Sequence, residues 1–81
     1  MDKKIEIYTS STCHFCHDAK DFFNERSIAY TEYDVSEDAE KRKELVDRSQ
    51  QMGVPVIFIE GAEMIIGFDK PKIMEALNLS E

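Results

Sequence analysis

At 81 residues, two of them Cys, the chain has room for one small domain, expected over 1–81, near the size where a single hydrophobic core becomes marginal. Some 42% of the residues are apolar and 33% charged, with Ile, Val, Leu and Phe in patterned runs, which excludes a disordered chain. A formal charge of −7 argues against nucleic-acid binding, because phosphate recognition needs clustered Lys and Arg; the acid excess reads as solubility.

The chain opens MDKKIEIYTSSTC, too few apolar residues before the polar turn for the h-region of a signal peptide. No later run is long enough to span a bilayer, so no membrane partner and a cytoplasmic location are expected. Thiols are mostly kept reduced there, and a lone Cys pair is more often catalytic or metal-binding than a structural staple.

Residues 4–9, KIEIYT, alternate Ile5 and Ile7 with polar neighbours and predict a strand. Ser10 to Thr12 break that pattern. From 13 to 26, Phe15, Ala19, Phe22, Phe23 and Arg26 recur at spacings of three and four, so a helix begins at the first Cys. Residues 28–35, IAYTEYDV, are β-branched and aromatic and predict a second strand. Ser36 suits an N-cap, with Glu37 and Asp38 where the helix dipole favours anions; that helix runs to about 51, with Ala39, Arg42, Leu45, Val46 and Ser49 on one face.

Gly53 ends the helix, and Val54–Pro55 leads into a strand, VIFIE. Gly61 turns the chain into a fourth strand over 62–67, AEMIIG. Asp69 suits the N-cap of a last helix, with Pro71 in its first turn and Ile73, Met74 and Leu77 inward. The order βαβαββα implies an α/β fold with a four-stranded mixed sheet. The first two strands are parallel across a helix, and the last two antiparallel across a tight turn.

The string TCHFCH, Thr12 to His17, fits three chemistries. C-x-x-C-H is the attachment pattern for c-type haem, Cys with His suits a metal, and C-x-x-C is a redox pair. Haem attachment wants export, a second axial ligand and a helical wrapping, whereas this motif lies in an α/β pattern, and Met52, Met64 and Met74 are expected in the core. A structural zinc site wants four ligands, typically two separated pairs, and Cys13, His14, Cys16 and His17 crowd one short segment. No metal is expected.

The redox reading fits best. A thiol at a helix N-terminus sits beside unpaired N–H groups and the positive end of the dipole, which stabilise its thiolate. Cys16, one turn deeper, is within disulfide reach, more buried and less acidic. Cys13 is therefore expected as nucleophile and Cys16 as resolving thiol. His14, between them, either tunes the thiolate or is a solvated loop residue, while His17 and Lys20 read as surface residues. Phe15 is expected to shape a substrate face beside the nucleophile. Pro55 at a strand entry sits where no ladder donor is needed. Trans bonds are commoner, but beside C-x-x-C a cis Val54–Pro55 bond is expected, turning the Val54 N–H and C=O outward to pair with an extended peptide.

IEIYTSSTCHFCHDAK, then GVPVIFI, then IIGFD resemble the glutaredoxins of the thioredoxin-like superfamily over almost the whole chain. The resemblance implies that Cys13 attacks and Cys16 resolves. Val54, before Pro55, would pair with the cysteinyl part of glutathione; Gly67, Phe68 and Asp69 would hold its γ-glutamyl end by backbone N–H groups and a carboxylate. Arg42 falls where a cation can meet the glycine carboxylate, though its stem could equally pack along the helix. Departures from the family pattern are His14-Phe15 where Pro-Tyr is common, Ser10 where a Lys often stands, Gly53 for the usual Thr, and Lys70 for a second acid. Weaker glutathione affinity is expected from them.

The resemblance thus implies a monomeric glutathione-dependent thiol–disulfide oxidoreductase acting on glutathionylated and disulfide-containing proteins. GFDKPKI also resembles redoxins that serve ribonucleotide reductase and are reduced by thioredoxin reductase. A third reading is an iron–sulfur cluster bridged between two chains by Cys13 and glutathione.

Overall fold

The computed structural model describes residues 3–78, so the 1–81 domain expectation extends past the described residues at both ends. The elements are β1 (Ile5–Thr9), α1 (His14–Glu25), β2 (Thr31–Asp34), α2 (Ala39–Ser49), β3 (Val56–Ile59), β4 (Ile65–Ile66) and α3 (Lys70–Ala76). They form one four-stranded sheet in the order β2-β1-β3-β4. β1 runs parallel to β2 and β3 antiparallel to β4, as the connections implied, and β1 pairs antiparallel with β3 at the centre of the sheet. This is the α/β arrangement with a four-stranded mixed sheet expected of the element order, and the thioredoxin-like fold that the family resemblance implies. No helix among the described residues is long and apolar enough to cross a membrane.

Strand parity divides the core. Ile5 and Ile7 of β1, Ile57 and Ile59 of β3 and Ile65 of β4 pack with Ala19, Phe22 and Phe23 of α1 and Ile73 of α3. On the opposite face, Tyr8 and Val56 pack with Leu45 of α2 and with Val35. The alternation in KIEIYT suggested one buried face, yet Tyr8 is as fully buried as Ile7, because helices cover both sides of the sheet. Its hydroxyl is accommodated by charge: it donates to the Glu44 carboxylate and accepts from Arg48 Nη1 at 2.9 Å. Arg48 also lies 3.4 Å from Glu6, which accepts from the Tyr33 hydroxyl at 2.9 Å.

Several boundaries differ from the sequence reading. The second strand was expected over 28–35 but starts at Thr31, since the Ile28 N–H closes the end of α1 on Phe23 O at 2.9 Å and Ser27 turns left-handed at φ 55°. Ser36 does not cap α2. Its N–H and hydroxyl are both taken by Asp34 Oδ1, and Asp38 is the cap, accepting from Lys41 N at 3.1 Å. α2 stops at Ser49 rather than near 51, with Gln50 in the left-handed region at φ 60° and its N–H on Val46 O. The helical face therefore does not extend to Met52, which is 67% exposed instead of buried. β4 has two residues where six were expected, paired only with Val56 and Ile57. Asp69 caps α3 as expected, accepting from Lys72 N at 3.3 Å.

Candidate active site

The end of β1 delivers the chain to the Ser10–Thr12 loop, and the Cys13 N–H bonds back to Ser10 O at 3.1 Å. Cys13 is the N-cap of α1, in extended conformation at φ −87° and ψ 114°. Its sulfur does what a Ser or Asp oxygen does at other caps: it accepts the Cys16 N–H, at 3.1 Å. An N–H aimed at a sulfur, with the positive end of the dipole behind it, favours thiolate over thiol. Cys13 is half-buried, whereas Cys16, one turn on, is 1% exposed. The two are joined as a disulfide with Cα atoms 5.2 Å apart, inside the range such a bridge requires.

The opposite wall comes from the loop before β3. The Val54–Pro55 bond is cis, as expected, and the Val54 carbonyl oxygen lies 3.6 Å from Cys13 Sγ. In the disulfide that sulfur has no proton and the approach is a contact; in the dithiol an S–H at the same place can donate. The Pro55 carbonyl accepts the Gly67 N–H at 2.7 Å, tying the turn after β4 to the same loop. Gly67 has φ +84°, a left-handed conformation that glycine adopts without penalty. This bond modifies one expectation, since the Gly67 N–H is spent inside the protein and is not left for a ligand.

A groove is lined by Phe15, two residues after Cys13, and by Ile66, Gly67, Phe68, Asp69, Lys70 and Pro71. The fold thus brings together Cys13, Cys16, Phe15, Val54, Pro55, Gly67, Phe68 and Asp69. Arg42 is exposed in the first turn of α2 and, like Val54 and Pro55, is not among the residues lining this groove. Phe15, assigned to the helix face by spacing, is 63% exposed, in keeping with the alternative of a substrate face. His14 and His17 are both exposed.

Sequence reasoning missed a polar group beneath the loop. Thr9, 1% exposed, donates to Glu32 Oε2 at 2.7 Å, and Lys20 Nζ reaches the same oxygen at 2.9 Å. Burial pushes the Glu32 carboxyl up, but the Thr9 hydroxyl and the Lys20 ammonium outweigh it and leave the pKa below its ordinary value. The available signal was the interval from Cys16 to Lys20: four residues on a helix share a face, which turns Lys20 toward the sheet below the cysteines.

A dithiol–disulfide pair at the start of a helix, opposite a cis-proline loop on a mixed four-stranded sheet, defines a thiol–disulfide redoxin of the thioredoxin-like class. Comparison with known proteins narrows that class. The family model for glutaredoxin matches residues 5–64, and the chain belongs to the glutaredoxin family. It is 38% identical over 69 residues to an uncharacterized glutaredoxin-like 8.6 kDa protein in a rubredoxin operon of Clostridium pasteurianum, covering 85% of this chain and 91% of that protein. It is 38% identical over 72 residues to glutaredoxin 3 of Escherichia coli K12, covering 89% of this chain and 86% of the relative. Among solved structures, the thioredoxin-like protein BC3987 superposes with a TM-score of 0.83 at 35% identity, covering 91% of this chain and all of the other.

Proposed function

We propose that the protein is a glutathione-dependent thiol–disulfide oxidoreductase, with Cys13 as nucleophile and Cys16 as resolving thiol. The observation that carries this reading is the unequal environment of the two sulfurs: Cys13 half-exposed and receiving an N–H at 3.1 Å, Cys16 sealed behind it at 1% exposure. The Cys13 thiolate attacks the glutathione sulfur of a mixed disulfide. A Cys13–glutathione S–S bond forms as the substrate S–S bond breaks, and the substrate sulfur leaves as a thiolate that takes a proton from water. A second glutathione thiolate then attacks the bound glutathione sulfur, releasing glutathione disulfide and the Cys13 thiolate. With protein disulfides, Cys16 loses its proton, attacks the Cys13 sulfur and expels the substrate, leaving the Cys13–Cys16 bridge for glutathione to reduce. The reducing cytoplasm is the compartment that suits this cycle, with the protein acting as a monomer.

Glutathione would lie with its cysteinyl amide against the Val54 backbone and its γ-glutamyl end toward Phe68 and Asp69, placements the family resemblance supplies; Phe68 and Asp69 line the groove. A second reading draws on a different observation. The large apolar side chains left exposed among the described residues are Phe15, Met52 and Ile66, and each lies in or beside a segment that builds the site. An apolar rim suits docking of a protein, so a redoxin reduced by thioredoxin reductase and donating electrons to ribonucleotide reductase is the rival.

The deciding experiment is an NADPH-coupled assay run in parallel with glutathione plus glutathione reductase and with thioredoxin reductase alone. Turnover only in the second arm would refute glutathione dependence. Within the first arm, Cys13→Ser should abolish turnover and Cys16→Ser should retain removal of glutathione from mixed disulfides. The opposite pattern would reverse the roles.

A further inference from the structure

Between the end of α2 and the cis-proline, one side chain occupies both backbone polar groups of a neighbour. Gln51 Oε1 accepts the Gly53 N–H at 2.7 Å, and Gln51 Nε2 donates to Gly53 O at 3.0 Å. The second Nε2 hydrogen goes to Ser49 Oγ at 3.3 Å. A primary amide has one acceptor oxygen and two donor hydrogens, and all three functions are used. Only one amide orientation offers an acceptor to the N–H and a donor to the carbonyl.

The bracket is anchored in the core through Ser49, which is 6% exposed and donates to Leu45 O at 2.6 Å, with the Gln51 carbonyl at 3.0 Å. Gly53 is what lets the amide come so close. A Cβ there would meet Gln51 Oε1 at 2.8 Å, below real contact distance, so any side chain at 53 displaces the amide. The next residue is Val54, whose carbonyl faces the Cys13 sulfur at 3.6 Å.

We propose that Gln51 is a positioning residue: its amide, admitted by the missing Cβ of Gly53, holds the loop from behind so that the Val54 backbone is presented ready to pair with a peptidic disulfide. Fixing Gly53 O fixes the peptide plane that also carries the Val54 N–H, and so the direction in which the Val54 backbone is presented. Pre-ordering of this kind lowers the entropic cost of binding without adding a contact to the substrate. The proposal rests on the Val54 pairing described under Proposed function.

The test uses Gln51→Ala, Gly53→Ala and the double variant of the full chain, each reduced to the dithiol and freed of reductant, and follows oxidation to the Cys13–Cys16 bridge by two disulfides: glutathione disulfide, which has amides to pair with Val54, and hydroxyethyl disulfide, which has none. With glutathione disulfide, each single variant should raise the half-saturating concentration for oxidation about tenfold, the loss of roughly one to two net hydrogen bonds' worth of loop order. The double variant should also lose about tenfold rather than about a hundredfold, because both changes break one bracket. Rates with hydroxyethyl disulfide should change by less than about twofold. Independently, the Gly53 amide should exchange with deuterium slowly in the natural chain and rapidly in Gln51→Ala.

Multiplicative losses in the double variant, equal losses with both disulfides, or unchanged Gly53 exchange in Gln51→Ala would each overturn the proposal. If the natural chain shows no preference for glutathione disulfide, the Val54 pairing falls, and the positioning role falls with it, whereas Gly53 exchange still tells whether the bracket itself exists.

Discussion

Replacing Tyr8 with Phe isolates one hydroxyl in the middle of the fold. The ring is fully buried, with Tyr33 and Phe58 centroids at 5.0 and 5.6 Å, and Phe keeps those contacts. What is lost is the donation to Glu44 and the acceptance from Arg48 at 2.9 Å. Hydrogen bonds to charged groups are worth about 1.5–3 kcal/mol each when buried. The Arg48 and Glu44 side chains are 35% and 39% exposed and can recover water, which puts the combined loss near the low end, about 1.5 kcal/mol. In a domain of this size that lowers Tm by roughly 6–12 °C. Urea unfolding followed by circular dichroism should show a lower midpoint with an unchanged slope.

The same substitution has a pH signature. Burial, helped by the Glu44 carboxylate, pushes the Tyr8 phenol up to about 12 against an ordinary value of 10, with Arg48 pulling the other way. The folded state therefore holds the phenolic proton more tightly than the unfolded chain. The associated stability is complete below about pH 10 and is lost as pH rises toward 12. Natural protein should lose stability across that window, and Tyr8→Phe should lose less. A Phe variant as stable as the natural chain at pH 7, or one falling in parallel with it above pH 10, would show that the hydroxyl is not coupled as described.

Three further outcomes follow from single residues. Gly67→Ala meets nothing within 4 Å, yet must hold φ +84°, so it should cost about 1 kcal/mol of stability through backbone strain alone, and an unshifted urea midpoint would refute that. Leu45→Ala, at a fully buried position of the α2 face, should cost about 2–5 kcal/mol, read from the same unfolding curves. Glu32, with its pKa depressed by the Thr9 and Lys20 partners despite burial, contributes stability that is present above its ordinary pKa of 4.5 and lost as pH falls through the lowered value. Acid unfolding of Glu32→Gln should accordingly begin from a lower plateau and show a shallower dependence below pH 4.5, whereas an identical profile would remove the ion pair from the account.

The elements and their order were legible because their signals are local and repeated: period-2 Ile in β1 and β3, three-and-four spacing in α1, and Asp69 before Pro71. What the sequence did not disclose depends on which of two polar partners a group chooses. Ser36 and Asp38 both suit a cap, and only the turn made by Asp34 decides for Asp38. Tyr8 read as a half-polar strand residue because the carboxylate and guanidinium that satisfy it arrive from α2, more than thirty positions away. Cys13, Cys16, Val54 and Gly67 were found as motif residues, but Gln51 was not. Its role needs the loop geometry that Gly53 permits, and no spacing rule encodes it.

Glutathione and a protein reductase pose the same first demand on this site and different second ones. A sulfur that is 1% exposed meets no bulky disulfide, so in either proposed cycle the partner engages Cys13 and Cys16 acts from behind. The choice of reductant therefore lies at the rim rather than at the sulfurs. Toward glutathione the rim offers the Val54 backbone and Asp69, while the Gly67 N–H is already committed to Pro55. Toward a protein it offers Phe15, Met52 and Ile66, each more than half exposed. Phe15 and Ile66 also line the groove proposed for glutathione, whereas Met52 lies outside it, where a protein surface can bury it and a tripeptide in the groove does not. Truncating Met52 to Ala should thus leave glutathione turnover within about twofold and raise KM for a protein disulfide several-fold, an exposed side chain being worth up to about 1–2 kcal/mol when covered. Equal effects on both substrates would mean that one surface serves both partners.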